Sequence, residues 1–271
     1  MHQSMASNSE YTIDLERIIR SYAGNRVPAF VIRFLKRLVH EDEINAYLSK
    51  GYEGVDFCEG VVNELGVKIT VVGLEDLPED GRFTFVSNHP LGAIDGVALG
   101  GIIGRKYNGH VKYLVRELLM NLKGLAPLCI GINKFGGQSR ELPRQIKEAF
   151  NSDNQIIMFP AGLCSRLING QVHDIPWGKA FISKSVQSRR DIVPVHFIGE
   201  NSPRFYRIAR WCKWLGIKFN LAMLLLPDEM FRSRGSHYIV RFGKPIPYQT
   251  FNRERTPLQW AQWVEDAVYQ L

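Results

Sequence analysis

The stretch VSNHPLGAIDG, Val86 to Gly96, sets His89 and Asp95 on either side of a turn. Pro90 fixes φ and Gly92 permits angles that other residues avoid, so the chain bends there and the two side chains can face each other. An imidazole titrates near neutral pH, and a carboxylate beside it can orient it, which is the equipment of proton transfer. The same residues also suit an ordinary turn, so the rest of the chain has to decide between the two.

Three further clusters fall at the ends of apolar, strand-like runs. APLCIGI leads into Asn133-Lys134-Phe135-Gly136-Gly137. QIIMFP leads into Ala161-Gly162-Leu163-Cys164-Ser165-Arg166, and IVPVHFIG ends at Gly199-Glu200-Asn201. A shared site at one edge of a sheet would draw on such strand ends.

The elements that would position these clusters follow from hydrophobic periodicity. VKITVVG alternates and is rich in β-branched residues, and RFTFVSN is a second strand that delivers His89 at its C-terminal end. GVALGGIIG suits a helix packed closely on the sheet, with Gly100, Gly101 and Gly104 allowing near approach. Downstream, HVKYLV, the helix LPRQIKEAF, QIIMFP and IVPVHFIG continue a β-α rhythm that predicts an α/β fold with a mainly parallel central sheet flanked by helices. HYIVRFGKPI reads as a further strand, antiparallel at an edge. The end of the chain is a helix with Thr256 as N-cap and Pro257 in first position, presenting Trp260, Trp263, Val264 and Val268 on one face.

Upstream, Pro28 to His40 is helical, with Phe30, Val31, Phe34, Leu35, Leu38 and Val39 as an apolar stripe that packs on a core or lies in a membrane interface. Asp56 to Leu65 gives another helix. With no repeat or Ser/Pro-rich linker, the chain divides into a helical extension over 1–65 and a main domain over 66–271.

Composition narrows the partners. A net charge of +7 makes a surface that attracts anions of any kind. Cys58, Cys129, Cys164 and Cys212 form no CxxC pair, which argues for thiols in a reducing compartment and against a zinc site or disulfide framework. His173-Asp174 and His196 lack metal-binding spacing and read as structural, so no metal is expected. The stretch from Arg204 to Phe219 holds five basic residues and no acidic one, interleaved with Phe205, Tyr206, Trp211 and Trp214. Its stripe Ile208, Trp211, Cys212, Leu215 fits an interfacial membrane helix or a core helix with a charged edge. No nucleic-acid-binding signature accompanies it, and nucleic acid is not an expected partner. Neither a signal-like start nor a run of about 18 apolar residues is present, so the expected location is peripheral, on the cytoplasmic face of a membrane.

Taken in order, NHPLGAID, the INK turn, FPAG and IVPV resemble the four sequence blocks of the glycerophospholipid acyltransferase superfamily, typified by 1-acylglycerol-3-phosphate acyltransferases. The resemblance runs from about Val67 to Pro247, including GKPIP. It implies the glycerolphosphate acyltransferase-like fold, His89 as general base on an acceptor hydroxyl, and Asp95 as its orienter. It also implies substrate contacts from Asn88, Gly92, Lys134, Phe159, Pro160, Gly162 and Arg166. The donor would be acyl-ACP or acyl-CoA, with no bound cofactor, and Arg116, Arg140 and Arg144 are candidates for its acidic groups. No GxSxG nucleophile elbow is present, which disfavours a hydrolase.

Two departures bear on the acceptor. The superfamily spacing is His-x4-Asp, and here it is one residue longer, with Gly92 placed to absorb the extra residue as a bulge. The third block, usually Phe-Pro-Glu-Gly-Thr-Arg, is Phe159-Pro160-Ala161-Gly162-Leu163-Cys164, without the glutamate and arginine that meet the acceptor's phosphate. Lys134 stands where the second block usually carries arginine. NHPLG with FPAG is similar to the hemolysin-like branch, whose relatives act in amino-acid lipid synthesis. The implied reaction is acyl transfer to the hydroxyl of a lyso-lipid such as 1-acylglycerol-3-phosphate, with a lyso-amino-acid lipid of the ornithine or glycine type as the alternative acceptor. A non-catalytic lipid-binding protein is the alternative of another class.

Overall fold

A computed structural model describes residues 12–116, 119–120, 122–132, 142–214 and 224–271. Helices α1 (Leu15–Ala23), α2 (Ala29–Leu38), α3 (Glu41–Leu48) and α4 (Gly54–Glu64) precede the first strand. The strands are β1 (Lys68–Val72), β2 (Phe83–Ser87), β3 (Val111–Arg116), β4 (Cys129–Ile132), β5 (Gln155–Met158), β6 (Arg166–Ile168), β7 (Gln171–His173), β8 (Asp191–Ile198) and β9 (His237–Phe242). Between and after them lie α5 (Ile94–Lys106), α6 (Leu142–Asn151), α7 (Ala180–Ser188), α8 (Pro203–Trp214), α9 (Leu226–Arg232) and α10 (Pro257–Tyr269).

The main sheet has seven strands in the order β1-β9-β8-β2-β5-β3-β4. From β8 to β4 every pairing is parallel, so the C-terminal ends of β8, β2, β5, β3 and β4 share one edge. The α/β fold with a mainly parallel sheet is as expected from the sequence. β9 is antiparallel to β8, as predicted, but it is not an edge strand, because β1 adds to it in parallel and takes the edge. β6 and β7 form a separate antiparallel hairpin. APLCIGI is only half strand: Ala126–Leu128 is a 3-10 turn whose Pro127 supplies no N–H to a ladder.

The strand β2 is buried along its whole length, which is why FTFVS reads as a continuous apolar run rather than an alternating one. Its Phe83 and Phe85 join one face of the sheet to a core with Leu99, Ile103, Ile157 and Val195. Leu48, Phe57, Cys58 and Val61 enter that same core, so α3 and α4 pack as part of this body. A Cβ on Gly100 of α5 would fall on the Tyr113 hydroxyl and against Cys58 Sγ. The glycines of α5 therefore set its distance from α4 as well as from the sheet. On the other face, α7 and α10 bury Phe181, Trp260, Val264 and Val268 against Val86 and Ile192. Thr256 and Gln259 make a reciprocal capping box at the start of α10, with Pro257 at its first turn as predicted.

The two amphipathic helices differ from their predicted stripes. On α2, Ile32 is buried, whereas Phe30 and Phe34 are exposed at 72% and 61%. On α8, Phe205, Tyr206 and Cys212 face inward and Trp211 points out. A 3.6-residue period cannot say which of two adjacent apolar rows a neighbour will cover.

Candidate active site

The turn after β2 is built around the Asp95 carboxylate. Asp95 lies in the first turn of α5, is fully buried, and accepts main-chain N–H bonds from Leu91 (2.9 Å) and Gly92 (3.2 Å) on Oδ2 and from Gly96 (2.8 Å) on Oδ1. A carboxylate at a helix N-terminus meets both the unpaired N–H groups and the favourable end of the helix dipole. Oδ2 also lies 3.0 Å from His89 Nδ1. The five residues between them form a tight loop because Gly92 takes φ +76°, and a Cβ there would press on Cys164 and Leu226.

The electrostatics of the pair follow from this geometry. Burial opposes charging of the imidazole, but the Asp95 carboxylate, by charge and hydrogen bond, outweighs it and raises the proton affinity of His89 above an ordinary histidine's. Burial likewise opposes the ionised Asp95, yet His89 and the N–H groups of Leu91 and Gly92 hold the carboxyl below the usual range. With Nδ1–H committed to Asp95, Nε2 is left as the basic nitrogen, and the side chain keeps 17% exposure.

The other candidates fall into three groups. Phe159, directly after β5, stacks on the His89 ring at 4.0 Å between centroids and 26° between planes, because β2 and β5 are paired neighbours. Pro160 and Gly162 continue that loop: the Gly162 N–H donates to Phe159 O at 2.9 Å, Gly162 is exposed at φ +67°, and Pro160 O accepts from Gly178. Arg166 comes to the same place, since its neighbour Ser165 donates its N–H to His89 O at 2.8 Å. Arg166 Nη1 is held by Cys164 O, Cys164 Sγ and Ser165 O, and among the described residues no carboxylate pairs with it.

Asn88 is placed elsewhere. It was expected to contact substrate, but its side chain is buried, accepting from Phe197 N–H at 2.7 Å and donating to Phe197 O at 2.9 Å, so both polar ends tie β2 to β8. Lys134 and Arg140 lie outside the described residues, as does the side chain of Arg116. Arg144 is exposed on α6, pointing to Glu148.

Two further residues support the turn, one from a strand-end cluster that the sequence marked and one that it read as merely structural. Asn201, after β8, donates to Pro90 O (3.1 Å) and Leu91 O (3.3 Å) and so props the turn from the neighbouring strand end. Asp174 lies against the turn as well, accepting from the His89 main-chain N–H at 3.3 Å across 85 residues of sequence, a separation that leaves no spacing signal. The third strand-end cluster thus does reach the site, through Asn201 rather than Glu200.

Comparisons with known proteins give the family. The family model described as Acyltransferase matches residues 17–268. The lyso-glycine lipid O-acyltransferase of Bacteroides thetaiotaomicron is 55% identical over 272 aligned positions, covering 98% of this chain and 100% of that protein. The protein of the same name from Phocaeicola vulgatus is 54% identical over 272 positions, covering 98% of each. Among solved structures, the 1-acyl-sn-glycerophosphate (LPA) acyltransferase PlsC from Thermotoga maritima matches with a TM-score of 0.50 at 16% identity, over 89% of this chain and 88% of that one, a likeness of fold. The resemblance read from the four motif blocks is therefore borne out: this chain belongs to the acyltransferase family and is an acyl-transfer enzyme.

Proposed function

We propose that this enzyme transfers a fatty acyl chain from a thioester donor, acyl-ACP or acyl-CoA, to the hydroxyl of a lyso-aminolipid of the glycine type. The observation that carries the choice of acceptor is the pairing of two full-length relatives named for a lyso-glycine lipid with a third block that lacks the glutamate and arginine of the phosphate-binding pattern. Of the two acceptors considered from sequence, the amino-acid lipid is therefore preferred to 1-acylglycerol-3-phosphate. An N-acylated glycine presents one carboxylate, where a phosphate monoester carries a charge of about −1.5 to −2. Arg166, beside the His89 turn and without a carboxylate partner among the described residues, offers a single guanidinium to that single carboxylate.

In this reading His89 Nε2 takes the proton of the acceptor hydroxyl as its oxygen attacks the thioester carbonyl. The tetrahedral intermediate collapses with loss of the thiolate, giving an ester in one ternary complex without an acyl-enzyme. Asp95 holds the tautomer and offsets the charge of the imidazolium, and the Phe159 ring steadies the imidazole and favours its cationic form. Pro160 and Gly162 belong to the acceptor wall, and the family resemblance gives Lys134 a role in binding the same acceptor.

The chemistry takes place at a membrane surface, because acceptor and product are both lipids. Among the described residues no helix is long and apolar enough to cross a bilayer. The outer stripe of α8, Arg207, Arg210, Trp211 and Trp214, has the composition of an interfacial contact, with Trp214 exposed at 82%. Phe30, Arg33, Phe34 and Arg37 repeat the pattern on α2.

The test is a lipid extract from a strain lacking this protein, complemented with wild type or His89→Ala and analysed by mass spectrometry. Accumulation of mono-acylated glycine lipid, relieved by wild type alone, is expected. Accumulation of lysophosphatidic acid instead would overturn the choice of acceptor.

A further inference from the structure

Asp174, directly after β7, is a buried carboxylate that the His89–Asp95 pair does not account for. Among the described residues no lysine or arginine pairs with it. Its Oδ1 accepts from the Ser165 hydroxyl at 2.5 Å and from the His89 main-chain N–H at 3.3 Å, and its Oδ2 accepts from Trp177 Nε1 at 2.9 Å. Its own N–H donates to the Tyr269 hydroxyl at 2.9 Å. Ser165 in turn donates its N–H to the His89 carbonyl at 2.8 Å. The main chain of His89 is thus gripped at both its N–H and its C=O by two residues that are bonded to each other.

Position alone does not require a charge there. Burying a carboxylate among neutral donors costs several kcal/mol, whereas a neutral acceptor could hold one N–H at far less expense. What the charge adds is a field on the imidazole. We propose that Asp174 is a positioning residue for His89: with Ser165 it fixes the main chain that carries the base, and its negative charge joins that of Asp95 in stabilising the imidazolium formed as the acceptor hydroxyl loses its proton. This rests on the reading of His89 as the base.

The surroundings are consistent with that role. The titratable groups facing Asp174 are His89, Tyr269 and Glu265 from α10, and Cys164 from the loop after β5. Facing His89 are Asp95 from α5 and Asp174. Burial raises the proton affinity of Asp174, with the donors Ser165, Trp177 and His89 pulling the other way, and Asp174 adds to Asp95 in raising that of His89. His173 stacks on Tyr269 at 3.8 Å, so α10 closes the far side of the cluster.

The experiment is an NMR titration of the full chain labelled in its histidines, with the His89 signal assigned by its loss in His89→Gln. Asp174→Asn removes the charge while keeping the shape. Removing a negative charge weakens imidazolium, so the His89 midpoint is expected to fall by about half a pH unit or more, and the acid limb of kcat/KM to move down with it. Asp174→Glu, which restores the charge, brings the midpoint back toward wild type. Asp174→Ser, which also removes the charge but with a smaller polar side chain, is expected to lower the midpoint likewise and carries the test should Asp174→Asn fail to fold. A His89 midpoint that stays at the wild-type value in Asp174→Asn, or in Asp174→Ser where only that variant folds, overturns the proposal whatever the activity. The titration needs no acceptor, so failure of the glycine-lipid reading, seen as no turnover of that acceptor by wild type, is a separate result.

Discussion

At the scale of single residues, His89 and Asp95 are 3.0 Å apart in a loop whose extra residue is taken up by Gly92 in the left-handed region. Because the carboxylate raises the imidazole's proton affinity, His89, the proposed base, is neutral only above a pH higher than the ~6.5 of a free histidine. Activity should therefore fall as pH drops through that raised value and level off above it. In Asp95→Asn the imidazolium loses its main partner, so the acid limb of kcat/KM should shift to lower pH while kcat drops by roughly 10³- to 10⁴-fold. A pH–rate series on both proteins checks this, and an unchanged limb would mean that His89 is not the titrating base. The dyad was legible in the sequence because both residues sit in one short motif. Asn201 was legible only as part of a strand-end cluster and Asp174 not at all, since they reach the turn only once β8 and the β6–β7 hairpin have been folded around it, and local spacing carries no trace of such contacts.

At the scale of elements, the site exists because β2 and β5 are adjacent and parallel, which brings the loop bearing His89 against the one bearing Phe159. Hydrophobic runs announced these strands, and caps announced α10, but which face of an amphipathic helix meets the core is a matter of neighbours. That is why α2 buries Ile32 while displaying Phe30 and Phe34, and why α8 buries Cys212 while Trp211 of the same stripe points out, a choice between core and interface that the sequence left open. Trp214 at 82% exposure and Trp211 beside it make α8 the sharper case. Burying one such side chain is worth about 1.5–3 kcal/mol, so Trp211→Ser with Trp214→Ser should weaken association with anionic phospholipid vesicles by about tenfold or more in a flotation assay. Equal flotation of variant and wild type would remove α8 from the membrane contact.

At the scale of the whole molecule, a basic chain with a mainly parallel sheet presents the His89 turn, the FPAG loop and Asn201 at one sheet edge, beside helices that show arginine and aromatic side chains outward. The fold is shared with a lysophosphatidate acyltransferase at 16% identity, so fold alone does not select the acceptor. In the proposed reading the selection falls to the third block, where Ala161 and Cys164 stand in place of the glutamate and arginine of the phosphate pattern and Arg166 follows Ser165, whose N–H is bonded to the His89 carbonyl. The most direct measurement is acyl transfer by the purified protein offered a lyso-glycine lipid and lysophosphatidic acid as competing acceptors with one thioester donor, beside His89→Ala. The account predicts that wild type esterifies the glycine lipid with a kcat/KM at least about tenfold above that for lysophosphatidic acid, a margin of about 1.4 kcal/mol, and that His89→Ala loses the activity. Preference for lysophosphatidic acid, or undiminished turnover by His89→Ala, would contradict it.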